Sequence, residues 1–224
     1  MITFQDVSFS YGGDPVLKDI SLTLDTGSLH FVTGRSGAGK TTFLRMLYLA
    51  LRPTGGEVTI FDRNTNKVQR REIAEMRRRM GVVLQDCDLL DHMTVIENIA
   101  LPLRIAGSNV RELSQDLEEL GGWVGLSRRM HARPPELSSG ERQRAAIARA
   151  VVASPDLIIA DEPTGNVDAE AATRIMQLFA ELSKLGKTVI IATHDLNLMR
   201  AAQGIRAHVL RIDKGRIERS GAPL

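Results

Sequence analysis

The sequence predicts an α/β fold: a core of mixed β-sheet and helices, an antiparallel β region at its N-terminal end, and an α-helical lobe inserted into the core. Three stretches carry that expectation. GRSGAGKTT, Gly34 to Thr42, is a glycine-rich loop set between an apolar run, Leu29 to Val32, and Phe43, Leu44, Met46 and Leu47, whose spacing is that of a buried helix face. LIIADE, Leu157 to Glu162, and TVIIA, Thr188 to Ala192, read as strands buried in a sheet. From Asp86 to Pro135 the pattern changes to helical periods punctuated by Pro102, Gly107, Gly121, Gly122 and Pro134-Pro135.

Taken in order, Ile2, Phe4 and Val7 begin a β region, Tyr11 to Pro15 is a turn, and Val16, Leu17, Ile20, Leu22 and Leu24 resume the strand pattern. A helix begins near Lys40. Pro53-Thr54-Gly55-Gly56 reads as a turn before a short strand, Glu57 to Phe61, and Val68 to Met80 as a helix with Ile73, Met76 and Met80 on one side. Gly81 to Leu84 is an apolar strand ending at Gln85. Helices are expected at Thr94 to Ile105, Val110 to Leu120, from LSSGE (Leu137 to Glu141) through Arg149, and from Ala169 to Leu185. Short strands close the chain around His208 to Ile212 and Arg216 to Ile217. The expected division is an α/β core of residues 1–85 and 156–224 and a helical lobe of 86–155.

With 224 residues, 43% apolar and 25% charged, the chain can bury a large core without disulfides. Its single cysteine, Cys87, excludes an intramolecular disulfide and fits a reducing cytosol. A net charge of +2 does not argue for nucleic acid, and the arginine clusters 70–71 and 77–79 read either as a solvated helix face or as a basic patch. No apolar run approaches the roughly 20 residues of a membrane span, and no signal-peptide pattern follows Met1. Contact with a membrane is expected only through a partner.

The loop's residue types fit one task. Gly34, Gly37 and Gly39 let backbone N–H groups converge on a polyphosphate, the helix start adds its unpaired amides, Lys40 adds a full charge, and the Thr41 hydroxyl can ligate Mg²⁺. Thr42 is a further candidate phosphate contact. Asp161 and Glu162 follow a buried strand and so belong at the carboxyl edge of the sheet, where one carboxylate can hold Mg²⁺ and the next can orient a water. His194 follows the next buried strand and shares that edge. Tyr11 is either a stacking surface for an adenine ring or an ordinary strand-end tyrosine.

Together Tyr11, GRSGAGKT, Gln85, LSSGE, LIIADE, NVD and His194 resemble, in family order and over nearly the whole chain, the ATP-binding cassette (ABC) ATPases. The resemblance implies a single nucleotide-binding domain, 1–224, with a P-loop NTPase core. It implies an ATPase in which Tyr11, Gly34, Arg35, Ser36, Gly37, Ala38, Gly39, Lys40, Thr41 and Thr42 hold ATP on one subunit while Ser138 and Gly140 reach it from another, in a head-to-tail homodimer. Thr41, Gln85 and Asp161 are then the Mg²⁺ ligands, and Glu162, His194 and Gln85 the catalytic residues. One departure is Ser139, which stands at a usual glycine of the family's LSGGQ; if that position needs close backbone approach or φ above zero, serine adds crowding or strain of about 1 kcal/mol or more and bears on how tightly the dimer closes.

TGNVD, the stretch after Gln85 and ATHDLNLM look most like the family's bacterial cell-division subgroup, which pairs with an integral membrane subunit at the cytoplasmic face of the inner membrane and controls peptidoglycan hydrolases. TGN-x-D is also typical of lipoprotein-release and macrolide-export ATPases. A nucleic-acid clamp and a non-hydrolysing scaffold are the readings of another class; the first lacks its usual long insertion or tandem cassette here, and the second would often lack Glu162, so no nucleic acid is expected. In the family a short helix of the membrane subunit enters the cleft between core and lobe. Asp86 to Asp91, with Leu89 and Leu90, is expected either to wall that cleft against a basic amphipathic helix or to pack into the lobe.

Overall fold

Burial along the first strand skips a beat, and that skip shapes the N-terminal sheet. In β1 (Ile2–Phe9) the buried residues are Ile2, Phe4, Val7 and Phe9, so one extra residue lies between the two alternating pairs. Asp6 absorbs it as a bulge with φ of 49°. Ser21 accepts from the Asp6 N–H and donates to its carboxylate, which fixes the kink. The computed structural model describes residues 2–165, 167–195 and 207–220. Asn166 of the NVD segment and the LNLM that follows Asp195 lie outside the described residues.

β1 pairs antiparallel with β2 (Leu17–Leu24) and with β4 (Gly55–Ile60), which pairs with β5 (Arg63–Asn64). A turn was expected over residues 53–56, yet Gly55 and Gly56 belong to β4. The glycine answers to the neighbouring strand: a Cβ on Gly56 would run into the carbonyl oxygens of Gln5 and Asp6 at the bulge.

The second sheet has the order β10-β9-β3-β8-β7-β6, built from β3 (Leu29–Thr33), β6 (Met80–Val83), β7 (Leu157–Asp161), β8 (Thr188–Ala192), β9 (Ala207–Asp213) and β10 (Arg216–Ser220). All its pairings are parallel except the β9–β10 hairpin. β7 and β8 are buried at every residue, which is why their sequences do not alternate. Ala192 lies opposite both Val32 and Asp161. The register therefore brings Gly34, Glu162 and Thr193 to one edge.

Two cores sandwich this sheet. On one face, α1 (Lys40–Leu47) and the antiparallel sheet enclose Phe4, Phe43, Leu44, Ile159 and Ile190, with the Phe4 and Phe43 rings stacked at 5.0 Å. On the other, α5 (Ser139–Val151) and α6 (Ala169–Lys184) bury Ile147 and Phe179 against Phe31, Ile158 and Ile191. A third cluster joins α3 (Val95–Ala106) to α4 (Ser114–Trp123), with Ile99, Leu117, Leu126 and Leu137 inside it. α5 belongs to both neighbouring cores, giving Ala146, Ile147 and Ala150 to the sheet and Ala145 and Ala148 to the lobe. α2 (Arg70–Arg78) lies beside β6.

α4 starts later than its periodicity suggests and runs through Gly121 and Gly122, expected as punctuation. Gly121 is a packing residue, because a Cβ there would strike the Met130 side chain. Ser139 raises no strain: it is the first residue of α5 with an ordinary helical backbone, and Ser138 caps the helix by accepting from the Glu141 N–H at 3.2 Å.

Candidate functional site

The loop between β3 and α1 curls because its glycines take φ values barred to side chains. Gly39 has φ of 109°, and a Cβ on it would press Leu17 and the Val16 carbonyl. Gly37, with φ of 77°, has nothing within 4 Å of where a Cβ would stand. Its backbone faces open space, the shape of a cradle for a ligand that approaches main-chain amides.

That space is a cavity of about 610 Å³, lined by the loop, by Val16, and by Gln85, Asp161, Glu162 and His194. The structure thus brings together most of the residues expected there: Gly34, Arg35, Ser36, Gly37, Gly39, Lys40, Thr41 and Thr42 all line it. Ala38 does not. Its side chain packs on the core and its N–H closes a turn on the Arg35 carbonyl at 3.1 Å. Val16 is a wall residue that the sequence did not single out, and its place just before β2, against Gly39, is a packing relation without a motif.

Lys40 donates to the carbonyls of Gly34 at 2.8 Å and Arg35 at 3.3 Å, so its ammonium is held over the loop by neutral oxygens. Thr41 Oγ1 donates to Asp161 Oδ2 at 3.3 Å. Burial pushes the Asp161 carboxyl up from its ordinary range, the Thr41 bond opposes this, and neighbouring Glu162 adds to it. A buried carboxylate beside a hydroxyl, with an acidic neighbour, is a donor set suited to a hard divalent cation such as Mg²⁺. Gln85, two residues beyond β6, lines the same cavity.

Glu162 leaves the strand with φ of 47° and its N–H bonded to the Ala192 carbonyl at 2.9 Å, a turn that carries its side chain out to the cavity. One carboxylate oxygen accepts from Thr193 Oγ1 at 3.2 Å; the other lies 2.8 Å from His194 Nδ1. The carboxylate has only acceptors, so Nδ1 carries the hydrogen of this contact. Thr193 is the functional candidate that sequence reasoning passed over. It is fully buried and also accepts from the Asp195 N–H at 3.1 Å.

Tyr11 stands outside the cavity lining, 59% exposed, with its ring edge-on to Phe9 at 4.8 Å and its hydroxyl 3.3 Å from Thr42 Oγ1. Ser138 and Gly140 lie at the start of α5 and do not line the cavity either. Asp168 caps α6 by accepting from the Ala171 N–H at 2.8 Å.

A second cavity, about 560 Å³, opens between α2 and β6 on one side and α3 and α5 on the other. Residues 86–91 are not among its lining. Leu89 is half-buried between the sheet and lobe cores, and the Leu90 backbone is tied to buried Asn98, donating to its Oδ1 at 2.8 Å and accepting from its Nδ2 at 3.1 Å.

Residues 17–165 match the family model of the ABC transporter domain. The chain is 42% identical to the cell division ATP-binding protein FtsE of Haemophilus influenzae, over 89% of this chain and 93% of that protein. It is 39% identical to FtsE of Mycobacterium tuberculosis, over 98% and 95%. Among solved structures it resembles a dimeric ATP-binding cassette in a post-hydrolysis state bound to ADP and Pi, with a TM-score of 0.89 and 32% identity over 98% of this chain and 97% of that one. A dimeric bacterial ABC transporter cassette gives 0.88 and 34% over the same shares.

Proposed function

Because the chain belongs to the ABC transporter family and is an ABC ATPase similar to FtsE, we propose that it is the ATP-hydrolysing subunit of a complex with an FtsX-like integral membrane protein, acting in cell division and control of peptidoglycan hydrolysis. The observation that carries the chemical half of this reading is the single edge on which Lys40, Thr41, Asp161, Glu162 and His194 line one cavity.

On this reading the loop amides and Lys40 bind the β- and γ-phosphates, and Tyr11 offers its exposed ring to the adenine. Thr41, Gln85 and Asp161 would hold Mg²⁺, which neutralises phosphate charge when bound. Glu162 orients the attacking water and draws off its proton as the oxygen bonds to the γ-phosphorus and the bond to ADP breaks. Thr193 and His194 hold the Glu162 carboxylate from two sides.

Ser138 and Gly140 lie away from this cavity, which fits a head-to-tail homodimer where a second copy brings its α5 N-terminus to the γ-phosphate. Residues 1–85 and 156–224 then act as the core, and 86–155 as the lobe. No helix among the described residues is long and apolar enough to cross a membrane. The proposed location is the cytoplasmic face of the inner membrane, where a short helix of the membrane subunit enters the cleft between α2 and α3.

The test is co-expression with the FtsX-type subunit of the same organism, purification from detergent and assay of ATP hydrolysis. A stable complex with Glu162-dependent turnover supports the proposal; no complex with that subunit, or turnover indifferent to Glu162, overturns it.

A further inference from the structure

The cleft between α2 and α3 has a composition at odds with the basic helix expected from Asp86 and Asp91. Its floor is apolar, with Ile73, Met80, Val82 and Leu101, and Ile105 stands 58% exposed at its edge. Four arginines line it, Arg70, Arg77, Arg78 and Arg149, and no aspartate or glutamate does. None of the four makes an ion pair among the described residues.

Two of these side chains are held in place by neutral groups. Arg77 donates to the carbonyls of Tyr48 and Leu49 at 3.2 and 3.0 Å, and Arg149 to those of Asp88 and Cys87 at 2.7 and 2.6 Å. Carbonyls fix a guanidinium without cancelling its charge; the Asp88 carboxylate, outside the lining, acts on Arg149, while Arg70, Arg77 and Arg78 of α2 face the apolar groove with no carboxylate in its lining. Burial lowers the Arg149 pKa but leaves a guanidinium charged at any ordinary pH.

We infer that the groove receives an acidic amphipathic helix, with an apolar stripe against Ile73, Leu101 and Ile105 and aspartates or glutamates flanking it toward the arginines. This rests on the functional reading above, and names the chemistry of the helix that the membrane subunit contributes. A helix suits the groove because α2 walls it along its whole length, from Arg70 to Arg78, about 13 Å or two turns, and the C-terminal half of α3, Leu101 to Ala106, faces it. A negatively charged bilayer would also attract arginines. It cannot, however, fill a concavity between two helices.

The test uses the full chain and the FtsX-type subunit of the same organism in nanodiscs. Arg70→Glu with Arg78→Glu should weaken the complex by about 10-fold or more and the matching pair of glutamines by less, with wild-type binding falling as salt rises. Both residues are exposed, so ATP affinity of the isolated variant should stay unchanged and reports an intact fold. Cross-linking from Ile105→Cys should map to a subunit segment with acidic residues beside an apolar stripe.

Complex formation indifferent to the glutamate pair, or a cross-linked segment whose polar face is basic, overturns the inference alone. Failure of the wild type to bind the subunit removes the functional reading as well. Arginine-dependent binding of the isolated chain to anionic vesicles, without the subunit, would assign the patch to lipid and overturn the inference.

Discussion

Glu162 Oε1 lies 2.8 Å from His194 Nδ1, joining a carboxylate whose side chain is 17% exposed to an imidazole that is 79% exposed. The two residues follow neighbouring parallel strands, so the bond ties the carboxyl ends of β7 and β8 together over the cavity. If Glu162 orients and deprotonates the water, Glu162→Gln keeps the shape and the contact but loses the base. Turnover should fall by about 10²-fold or more with ATP affinity largely kept. Steady-state assay and calorimetry together check this, and equal turnover would remove the assigned role.

Thr193 reaches the other carboxylate oxygen, and that second tether has its own signature. Thr193→Val keeps the volume of a fully buried site but removes the hydroxyl, so kcat should drop about 10-fold with KM little changed. Thr193→Ser should restore most of the rate. Loss of activity in the valine variant that tracks a lost thermal transition, without rescue by serine, would mean that the hydroxyl serves only the fold.

Lys40→Ala should act on binding itself. It removes the full positive charge held over the loop carbonyls, and ATP affinity should fall by about 10-fold or more. Calorimetry with the unchanged protein alongside decides it.

How far the site could be read in advance depended on whether a residue's task was local. Gly34 to Thr42 announced itself, because phosphate chemistry dictates both residue types and spacing within one loop. Asp161 and His194 were placed by the rule that ligands lie beyond the carboxyl ends of parallel strands, and the register of Asp161 and Val32 against Ala192 obeys it. Val16 and Thr193 escaped because their positions rest on packing and side-chain bonding between distant segments. Gly56 and Gly121 misled for the same reason: each serves a close approach by a remote backbone or side chain, which looks like a turn signal in one dimension. A docking surface was sought at Leu89 and Leu90, but Leu89 is half-buried at the junction of two cores and the Leu90 backbone is tied to Asn98, relations between segments that apolar character alone does not reveal.

Assembly follows from the exposed start of α5. Glu162→Gln with ATP should elute as a dimer, and Ser138→Arg should abolish it; a nucleotide-independent dimer that ignores Ser138→Arg would contradict the head-to-tail arrangement. Ser139→Gly should change neither dimer nor stability by more than about 1 kcal/mol, since Ser139 has a helical backbone that gains nothing from glycine.

Cys87 offers a pH-dependent check on the turn that follows Gln85. Burial pushes its thiol up from the ordinary value, outweighing the pull of Arg142 and Arg149, and Sγ donates to Gln143 Oε1 at 3.0 Å, a bond that needs the proton. Its carbonyl is gripped by Arg149 at 2.6 Å, so the turn cannot present the sulfur without loosening from α5. A raised folded-state value means that this group's contribution to stability is complete below the unfolded thiol value of about 8.5 and is lost as pH rises through the higher folded value. Wild type should therefore lose thermal stability relative to Cys87→Ala on going from neutral to strongly alkaline pH. Iodoacetamide at pH 8 should alkylate the folded chain at least about 10-fold more slowly than the denatured one. A stability difference flat in pH, together with alkylation as fast as in denaturant, would show that the sulfur is exposed and the turn is not held as the Arg149 and Gln143 bonds require.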